Sequence, residues 1–191
     1  MTPAQLTRKL FLTLSLFALS FSALAQLSTA QLNTTHTALC LDASAAALIN
    51  AGDSAGLRSY ANANASPAFI AWKSTVTITA SGQAFNGTEW AGMTSANHTR
   101  LQTVAQYLQS YNPGLADVRG MFNDIWSGAG GVVTRANLLA LWKRSSTRVE
   151  KALATGTGSD ASPATLTWEG PIQETDGARL VFRDNGTLWG C

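Results

Sequence analysis

The chain has 191 residues, of which 46% are hydrophobic and 13% charged, a length that suits one domain with a substantial core and is short for two. Arg8 and Lys9 are the only charged residues among the first 25, so without that segment the 13 basic residues become 11 and balance the 11 acidic ones. A neutral chain argues against non-specific nucleic-acid binding, because that affinity comes from neutralising phosphates.

Residues 1–25 have the pattern of a secretory signal peptide. Two basic residues precede an apolar run over residues 10–19, and residues 23–25 (Ala-Leu-Ala) offer small side chains at both positions that signal peptidase reads. Cleavage is expected after residue 25, and the apolar run is too short to predict a membrane span. An N-terminal anchor or an amphipathic helix is the alternative interpretation.

The next part of the chain predicts two short helices after an irregular segment. Residues 26–41 are polar with scattered leucines and are interpreted as a loose lead-in. Asp42 and Asp53 are both suited to cap a short helix, and Gly52 separates the two helices. Their modest apolar faces need a larger partner.

Residues 66–93 predict a mixture of short elements. Ser66-Pro67 signals a helix start, and the β-branched run over residues 75–79 predicts that this helix gives way to an extended segment. Residues 80–87 are expected to form a loop, followed by at most a short helix over residues 88–93.

Three longer helices are predicted in the second half. Thr94 caps the first, Asn112-Pro113 opens the second with a broad apolar stripe, and Thr134 caps the third, which runs to about residue 155. The glycine-rich segment 127–131 between the last two is interpreted as a helix stop. It lacks the preceding strand and the following Lys-Ser/Thr of a phosphate-binding loop.

The third helix and the segment after it supply the candidate contact residues. A basic stripe at i, i+4 and i+7 of that helix is formed by Arg144, Arg148 and Lys151. It is either a solvated face or a contact surface for an acidic partner or nucleic acid. Residues 156–163 have no core-forming side chain and form a small-residue arm, which we expect to lie against another subunit. The polar residues of this arm are Thr157, Ser159, Asp160 and Ser162.

The C-terminal part predicts a small β element and a conditional disulfide. Residues 165–168 are a possible strand, and residues 178–190 have the alternation and the Asn185-Gly186 turn of a β-hairpin. If the chain is exported, Cys40 and Cys191 can pair and tie its ends together; in the cytosol both are expected to be free thiols. Two sulfurs without a histidine pair are half a zinc ligand set, so no metal site is predicted.

No catalytic motif accompanies these elements. His98 is interpreted as a partly buried structural histidine, and His36 has no acid or Cys placed to make it catalytic. Glu89 with Asp124 is the only acid pair considered for glycan hydrolysis, and nothing in the spacing of the two residues supports it. We therefore predict no enzyme, no cofactor and no small-molecule substrate.

Several strings resemble a group of small tailed-bacteriophage proteins. Residues 135–170 (RANLLALWKRSSTRVEKALATGTGSDASPATLTWEG) are similar to a helix of the type LLALWKR.ATRAEKLFATGTG followed by ASPATL.FEG in that group. Further similar pieces are residues 65–76 and 96–131 and the short helices within 43–63, so the likeness covers about residues 42–171. The resemblance implies a virion or tail-associated structural protein, and it implies a short helix after Glu169-Gly170.

These observations predict a mainly α fold, a single-domain helical bundle of five or six helices over residues 42–155, with the arm and a small C-terminal β-hairpin over residues 156–191. The expected function is a structural or accessory subunit of a tailed-phage virion, in the tail or head–tail region. It would reside in the virion or host cytoplasm, with other virion proteins or further copies of itself as partners.

Two alternatives remain at this stage. The first is an exported, prophage-derived protein of the periplasm or medium, stabilised by a Cys40–Cys191 disulfide. The second is a hydrolase acting on cell-wall glycan. In each case membrane contact is expected only through the leader.

Overall fold

The computed structural model describes residues 26–191, so the leader predicted over residues 1–25 lies outside the described residues. This part of the chain contains ten α-helices and six short strands, and the prediction of a mainly α fold is confirmed. The helices are α1 Thr29–Cys40, α2 Ala43–Asn50, α3 Ser54–Asn62, α4 Ile78–Ala84, α5 Gly87–Ala91, α6 Ser95–Tyr107, α7 Ala116–Ile125, α8 Val132–Trp142, α9 Arg148–Ala152 and α10 Glu174–Val181. The strands are β1 Ile70–Trp72, β2 Val76–Thr77, β3 Ser110–Tyr111, β4 Lys143–Ser145, β5 Ala154–Thr155 and β6 Thr165–Leu166. They pair antiparallel as β1–β4, β2–β3 and β5–β6.

Helix starts that depend on a local cap are where the sequence places them. The Asp42 carboxylate accepts hydrogen bonds from the backbone N–H groups of Ser44 and Ala45 at the start of α2. Asp53 and Thr94 cap α3 and α6 in the same way. Such caps need only the residues of one turn, because they satisfy N–H groups that the helix itself leaves without an acceptor.

The prediction of a loose lead-in over residues 26–41 is wrong, since residues 29–40 form helix α1. Ser28 and Gln31 form a reciprocal capping box at its start. Leu32, His36 and Leu39 lie at i, i+4 and i+7 and are all buried, as is Thr35, while Asn33, Thr34 and Thr37 are exposed. The apolar stripe is only one side chain wide per turn, so the periodicity is weak in the sequence.

The expectations for residues 66–87 are wrong except at residues 76–77, which are extended as strand β2. Ser66-Pro67 is a cis peptide and leads into strand β1 instead of a helix. Helix α4 over residues 78–84 replaces the extended segment and loop expected there, with Thr77 accepting a hydrogen bond from the Ala80 N–H as its cap. Strand β1 is stabilised by pairing with β4: Ala71 lies opposite Arg144, 73 residues later in the sequence. Local periodicity cannot predict a pairing over that distance.

The longest predicted helix is broken in two. Helix α8 begins at Val132, ahead of the predicted Thr134 cap, and ends at Trp142; residues 143–145 are strand β4, and α9 begins after Thr147. Thr147 and Glu150 form a capping box that starts the new helix. Serine and threonine at residues 145–147 favour such a start over helix continuation, because their hydroxyls compete for backbone groups.

This break divides the buried apolar side chains into two clusters, so a single bundle is not confirmed. The terminal cluster joins α1–α3 to α9 and α10, and its buried members are Leu27, Leu32, Leu39, Ala45, Ile49, Leu57, Ala61, Val149, Leu153, Ile172, Leu180 and Val181. The middle cluster joins β2, β3 and α6–α8, and its buried members are Val76, Leu101, Tyr111, Phe122, Ile125, Trp126, Leu138 and Trp142. Strands β1 and β4 connect the two halves.

The predicted C-terminal hairpin is largely replaced by a helix. Residues 174–181 form α10, whose Leu180 and Val181 are fully buried in the terminal cluster. Only the tight turn around Asn185-Gly186 is present, closed by a single bridge between residues 182 and 188. The period of α10 was hidden because its apolar residues are few and adjacent.

Candidate functional site

Strand β1 is the point where three segments that are far apart in the sequence come together. Its Ile70 N–H donates to the Gly158 carbonyl at 2.7 Å, and the Trp72 N–H donates to the Ala164 carbonyl at 2.9 Å. On its other edge β1 pairs with β4, which carries Arg144. Residues 69–74, 143–150 and 156–170, far apart in the sequence, therefore form one surface, which we call the central seam.

The small-residue arm is a closed loop on this seam. Gly158 has φ +66°, and a Cβ there would overlap the Phe69 ring, so only glycine fits between the loop and the ring. The Thr157 hydroxyl donates to the Ser162 carbonyl at 3.0 Å, and the Ser162 N–H donates to the Ser159 hydroxyl at 3.0 Å. The polar residues of the arm remain exposed, and contact with another subunit stays a prediction.

The predicted basic stripe does not exist, because its members no longer share one helix. Arg144 lies on β4 and points at two carboxylates: it donates to Glu150 at 2.7 and 2.8 Å and to Glu169 at 3.0 and 3.1 Å. Its side chain is only 24% exposed. Arg144 therefore joins α9 to the segment after β6 and is not available as a free contact residue.

Glu150 is the buried centre of this network. Its carboxylate also accepts the N–H groups of Thr147 and Gly170, each at 2.9 Å. Burial acts to raise the pKa of Glu150, but the hydrogen bond from Arg144 and the two backbone N–H groups outweigh it and lower the pKa below its usual value. Glu150 is thus held as a fully hydrogen-bonded carboxylate.

The other predicted basic residues also have intramolecular partners. The Arg148 guanidinium lies 4.0 Å from the centre of the Tyr60 ring and donates to the Tyr60 carbonyl at 3.1 Å. Lys151 is exposed, with its Nζ 5.8 Å from the centre of the Phe69 ring. In the arm, Asp160 receives the Lys143 ammonium at 3.1 Å. These contacts hold the arm and α9 to the rest of the protein.

An open groove of about 780 Å³ lies between α6 and α7. Val104, Met121 and Ile125 provide apolar lining, while Arg100 and Asp124 supply charge. Sequence reasoning missed the groove because it assigned the apolar stripe of α7 entirely to the core. An apolar floor with charged edges is the anatomy of a contact surface for another chain.

Glu89, one of the two acids considered for hydrolysis, is a hydrogen-bond acceptor at the start of a helix. Glu89 accepts the N–H groups of Val133 and Thr134 at 2.8 and 2.7 Å at the start of α8. Burial acts to raise the pKa of Glu89, but hydrogen bonds from the Thr134 hydroxyl and these N–H groups lower it overall. A general acid needs a raised pKa, so the lowered pKa of Glu89 does not suit that role. Asp124 lines the groove between α6 and α7.

The two histidines differ in their surroundings. His98 is partly buried and meets the edge of the Trp90 ring at 4.5 Å between ring centres. The Cys40 Sγ lies 3.4 Å from the His36 Nε2, one turn along α1, and the sequence interpretation missed this proximity. Cys40 is joined to Cys191 by a disulfide. The signal was the i, i+4 spacing, which has meaning only once residues 29–40 are helical.

The chain matches no protein-family model, no curated protein and no solved structure. Among the helices of residues 26–191, none combines the length and apolar character needed to cross a bilayer.

Proposed function

We propose that the chain is a non-catalytic structural or accessory subunit of a tailed-phage particle, in the tail or the head–tail region. The observation that carries this proposal is the specificity of the phage-like strings together with their convergence on the central seam. The most distinctive of the segments that resemble phage proteins contact one another around β1; they are residues 65–76, 135–155 and 156–170.

The groove between α6 and α7 is the proposed contact surface for a neighbouring subunit. Met121 and Val104 offer apolar area to a partner side chain, and Arg100 and Asp124 offer charges that would orient it. The closed arm, with its exposed Thr157 and Ser159, offers a second, more polar contact. Both surfaces belong to segments that are already ordered by hydrogen bonds, which reduces the entropy cost of assembly.

The experiment is incorporation into particles. Particles of the phage or induced prophage that encodes the chain are purified by density gradient, and peptides from residues 26–191 are sought by mass spectrometry. We expect a constant ratio of the chain to the major particle proteins across the gradient peak. Abundant chain in the lysate with none in the particles would contradict the proposal.

A pair of variants tests the groove itself. Met121→Arg places a charge on the apolar lining and is expected to reduce incorporation at least tenfold, because an unpaired charge in an interface is costly. Gln102→Arg adds the same charge at an exposed position of α6 outside the groove lining and is expected to incorporate normally. Equal incorporation of the two variants would remove the groove from the contact surface.

A second candidate function is an exported, prophage-derived protein, and the specific observation in its favour is the Cys40–Cys191 disulfide. Disulfides persist in oxidising compartments and are rare in the cytosol. This candidate predicts a processed chain beginning at Gln26 in the periplasm or medium and no chain in particles. Recovery of the reduced, full-length chain in particles would exclude it.

A further inference from the structure

We propose that the reduced chain binds one thiolate-preferring divalent cation, of which Zn²⁺ is the type, between His36, Cys40 and Cys191. The site goes beyond the particle role and does not rest on it. These three residues form a cluster whose ligand atoms all lie within 4.8 Å of one another. They hold the C-terminal segment against α1.

The distances already match a tetrahedral site on one side. Zinc bonds to sulfur at about 2.3 Å and to imidazole nitrogen at about 2.0–2.1 Å, so tetrahedral angles place the two ligand atoms about 3.5 Å apart. The Cys40 Sγ and the His36 Nε2 are 3.4 Å apart. Their i, i+4 spacing on α1 fixes both side chains on the same face of a rigid helix.

The orientation of His36 is that of a metal ligand. Its Nδ1 lies 2.9 Å from the Leu180 carbonyl oxygen, so the tautomer protonated at Nδ1 donates a hydrogen bond to this carbonyl. In that tautomer Nε2 carries the lone pair, and it lies 3.4 Å from the Cys40 Sγ. Metal-binding histidines typically donate their other N–H to a backbone carbonyl in this way. Stacking on the Trp189 ring, 4.1 Å between ring centres, fixes the imidazole plane. The 3.1 Å contact of Nε2 with the Gly190 carbonyl is the one that a cation would replace.

The chemistry requires reduction first. A phosphine and one water reduce the disulfide to two thiols and become a phosphine oxide; in a cell a dithiol supplies the two electrons and two protons and becomes a disulfide itself. The cation then displaces both thiol protons to solvent. In a tetrahedral site the two sulfurs lie about 3.8 Å apart, farther than in the disulfide. Cys191 is exposed and therefore has room to move away from Cys40.

Electrostatics also favour a divalent cation. Two thiolates, one neutral imidazole and Zn²⁺ sum to zero charge, which suits a site beside His36, only 7% exposed. The fourth position is left for water. The same three residues thus support two states: a cation-bound dithiol in a reducing compartment and a disulfide in an oxidising one.

The test uses Co²⁺ as a spectroscopic probe. The full chain is reduced with a phosphine, freed of reductant without oxygen and titrated with Co²⁺. We expect one Co²⁺ per chain, with the thiolate charge-transfer band in the near ultraviolet and the visible bands of tetrahedral Co²⁺, and we expect Zn²⁺ to displace it. The oxidised chain should show neither band. Equal Co²⁺ binding by the oxidised chain would overturn the proposal.

Variants identify the ligands. His36→Gln removes a ligand and is expected to weaken Co²⁺ binding by at least about 100-fold, because losing a residue that only supports a ligand already costs up to about 100-fold. His98→Gln, the matched control, should change it less than about twofold. Because His36 is buried and its replacement also perturbs folding, Cys191→Ser at an exposed position provides a second test. It must halve the charge-transfer intensity per bound Co²⁺. Unchanged intensity, or one cation shared by two chains, refutes the site.

Discussion

Replacing Glu150 with glutamine is expected to destabilise the protein by about 3 kcal/mol, because this residue joins three separate segments. Its side chain is 2% exposed. The two carboxylate oxygens accept four hydrogen bonds, from both terminal nitrogens of Arg144 and from the N–H groups of Thr147 and Gly170. Every one of these partners is a donor, so the site accepts only a group with two acceptor atoms.

The magnitude follows from the geometry of each oxygen. One oxygen accepts from Arg144 and Gly170, the other from Arg144 and Thr147. A glutamine amide nitrogen at either position faces two donors, so two hydrogen bonds to a charged group are lost at about 1.5 kcal/mol each or more. The result lies at the lower end of the range of about 3–5 kcal/mol for breaking a buried ion pair.

The assay is urea unfolding near pH 7, followed by tryptophan fluorescence, in which the midpoint should fall while the slope stays constant. Glu169→Gln is the matched control, because Glu169 contacts the same Arg144 but its side chain is 35% exposed. We expect a loss below about 1 kcal/mol for this control. A difference between the two variants smaller than about 1 kcal/mol would refute the reasoning.

The acid dependence of stability gives an independent check of Glu150. Its pKa is lower in the folded protein than the ordinary glutamate pKa of 4.5. The unfolded chain therefore binds the proton more readily, and the stabilisation is complete above the unfolded pKa and is lost as the pH falls through the folded one. The stability gap between the wild type and Glu150→Gln should narrow on acidification below about pH 4.5. A gap that widens in acid would contradict the pKa direction.

Two further predictions concern the arm and the disulfide. Gly158→Ala should lower the stability of the protein by about 2–4 kcal/mol, since alanine is strained at φ +66° and its Cβ overlaps Phe69. The control Gly82→Ala lies at an open helical position and should be neutral or stabilising by up to about 1 kcal/mol. Equal shifts of the two melting temperatures would contradict this prediction. Cys191→Ser should lower the stability of the oxidised protein by up to about 5 kcal/mol, because the bond to Cys40 spans 151 residues of sequence; a loss below about 1 kcal/mol would mean that the purified chain lacks the bond.

The elements that the sequence predicts correctly are those with local causes. Asp42, Asp53 and Thr94 each cap a helix using the backbone of the following turn, so three or four residues contain all the necessary information. The mainly α class follows from the same local signals.

The errors fall where a distant partner decides the outcome. Residues 143–145 have no strong strand signal, yet they are extended because β1 pairs with them, and the predicted basic stripe disappears with the helix. Leu180 and Phe182 alternate with polar neighbours as in a strand, but residues 174–181 form a helix that buries Leu180 and Val181 against the terminal cluster. Burial of that face outweighs local preference.

The candidate sites were only partly predictable for the same reason. The arm was identifiable from its lack of bulky side chains, but its closure on Phe69 depends on tertiary contact. The nearness of His36 to Cys40 was encoded in their spacing and was missed because the segment was taken as coil. The groove needs two helices side by side, and single-helix periodicity contains no information about it.

The two apolar clusters impose an order on folding during synthesis. The middle cluster is built from residues 76–142, a continuous stretch that leaves the ribosome together. Helices α1–α3 emerge first but need α10, so they wait for about 120 further residues, roughly 6–24 s at ordinary elongation rates. During that interval Leu32, Leu39 and Ile49 have no cover from α10. Nascent chains of this protein should therefore be clients of ribosome-associated chaperones through their N-terminal helices, and they should be released only when the last helix docks.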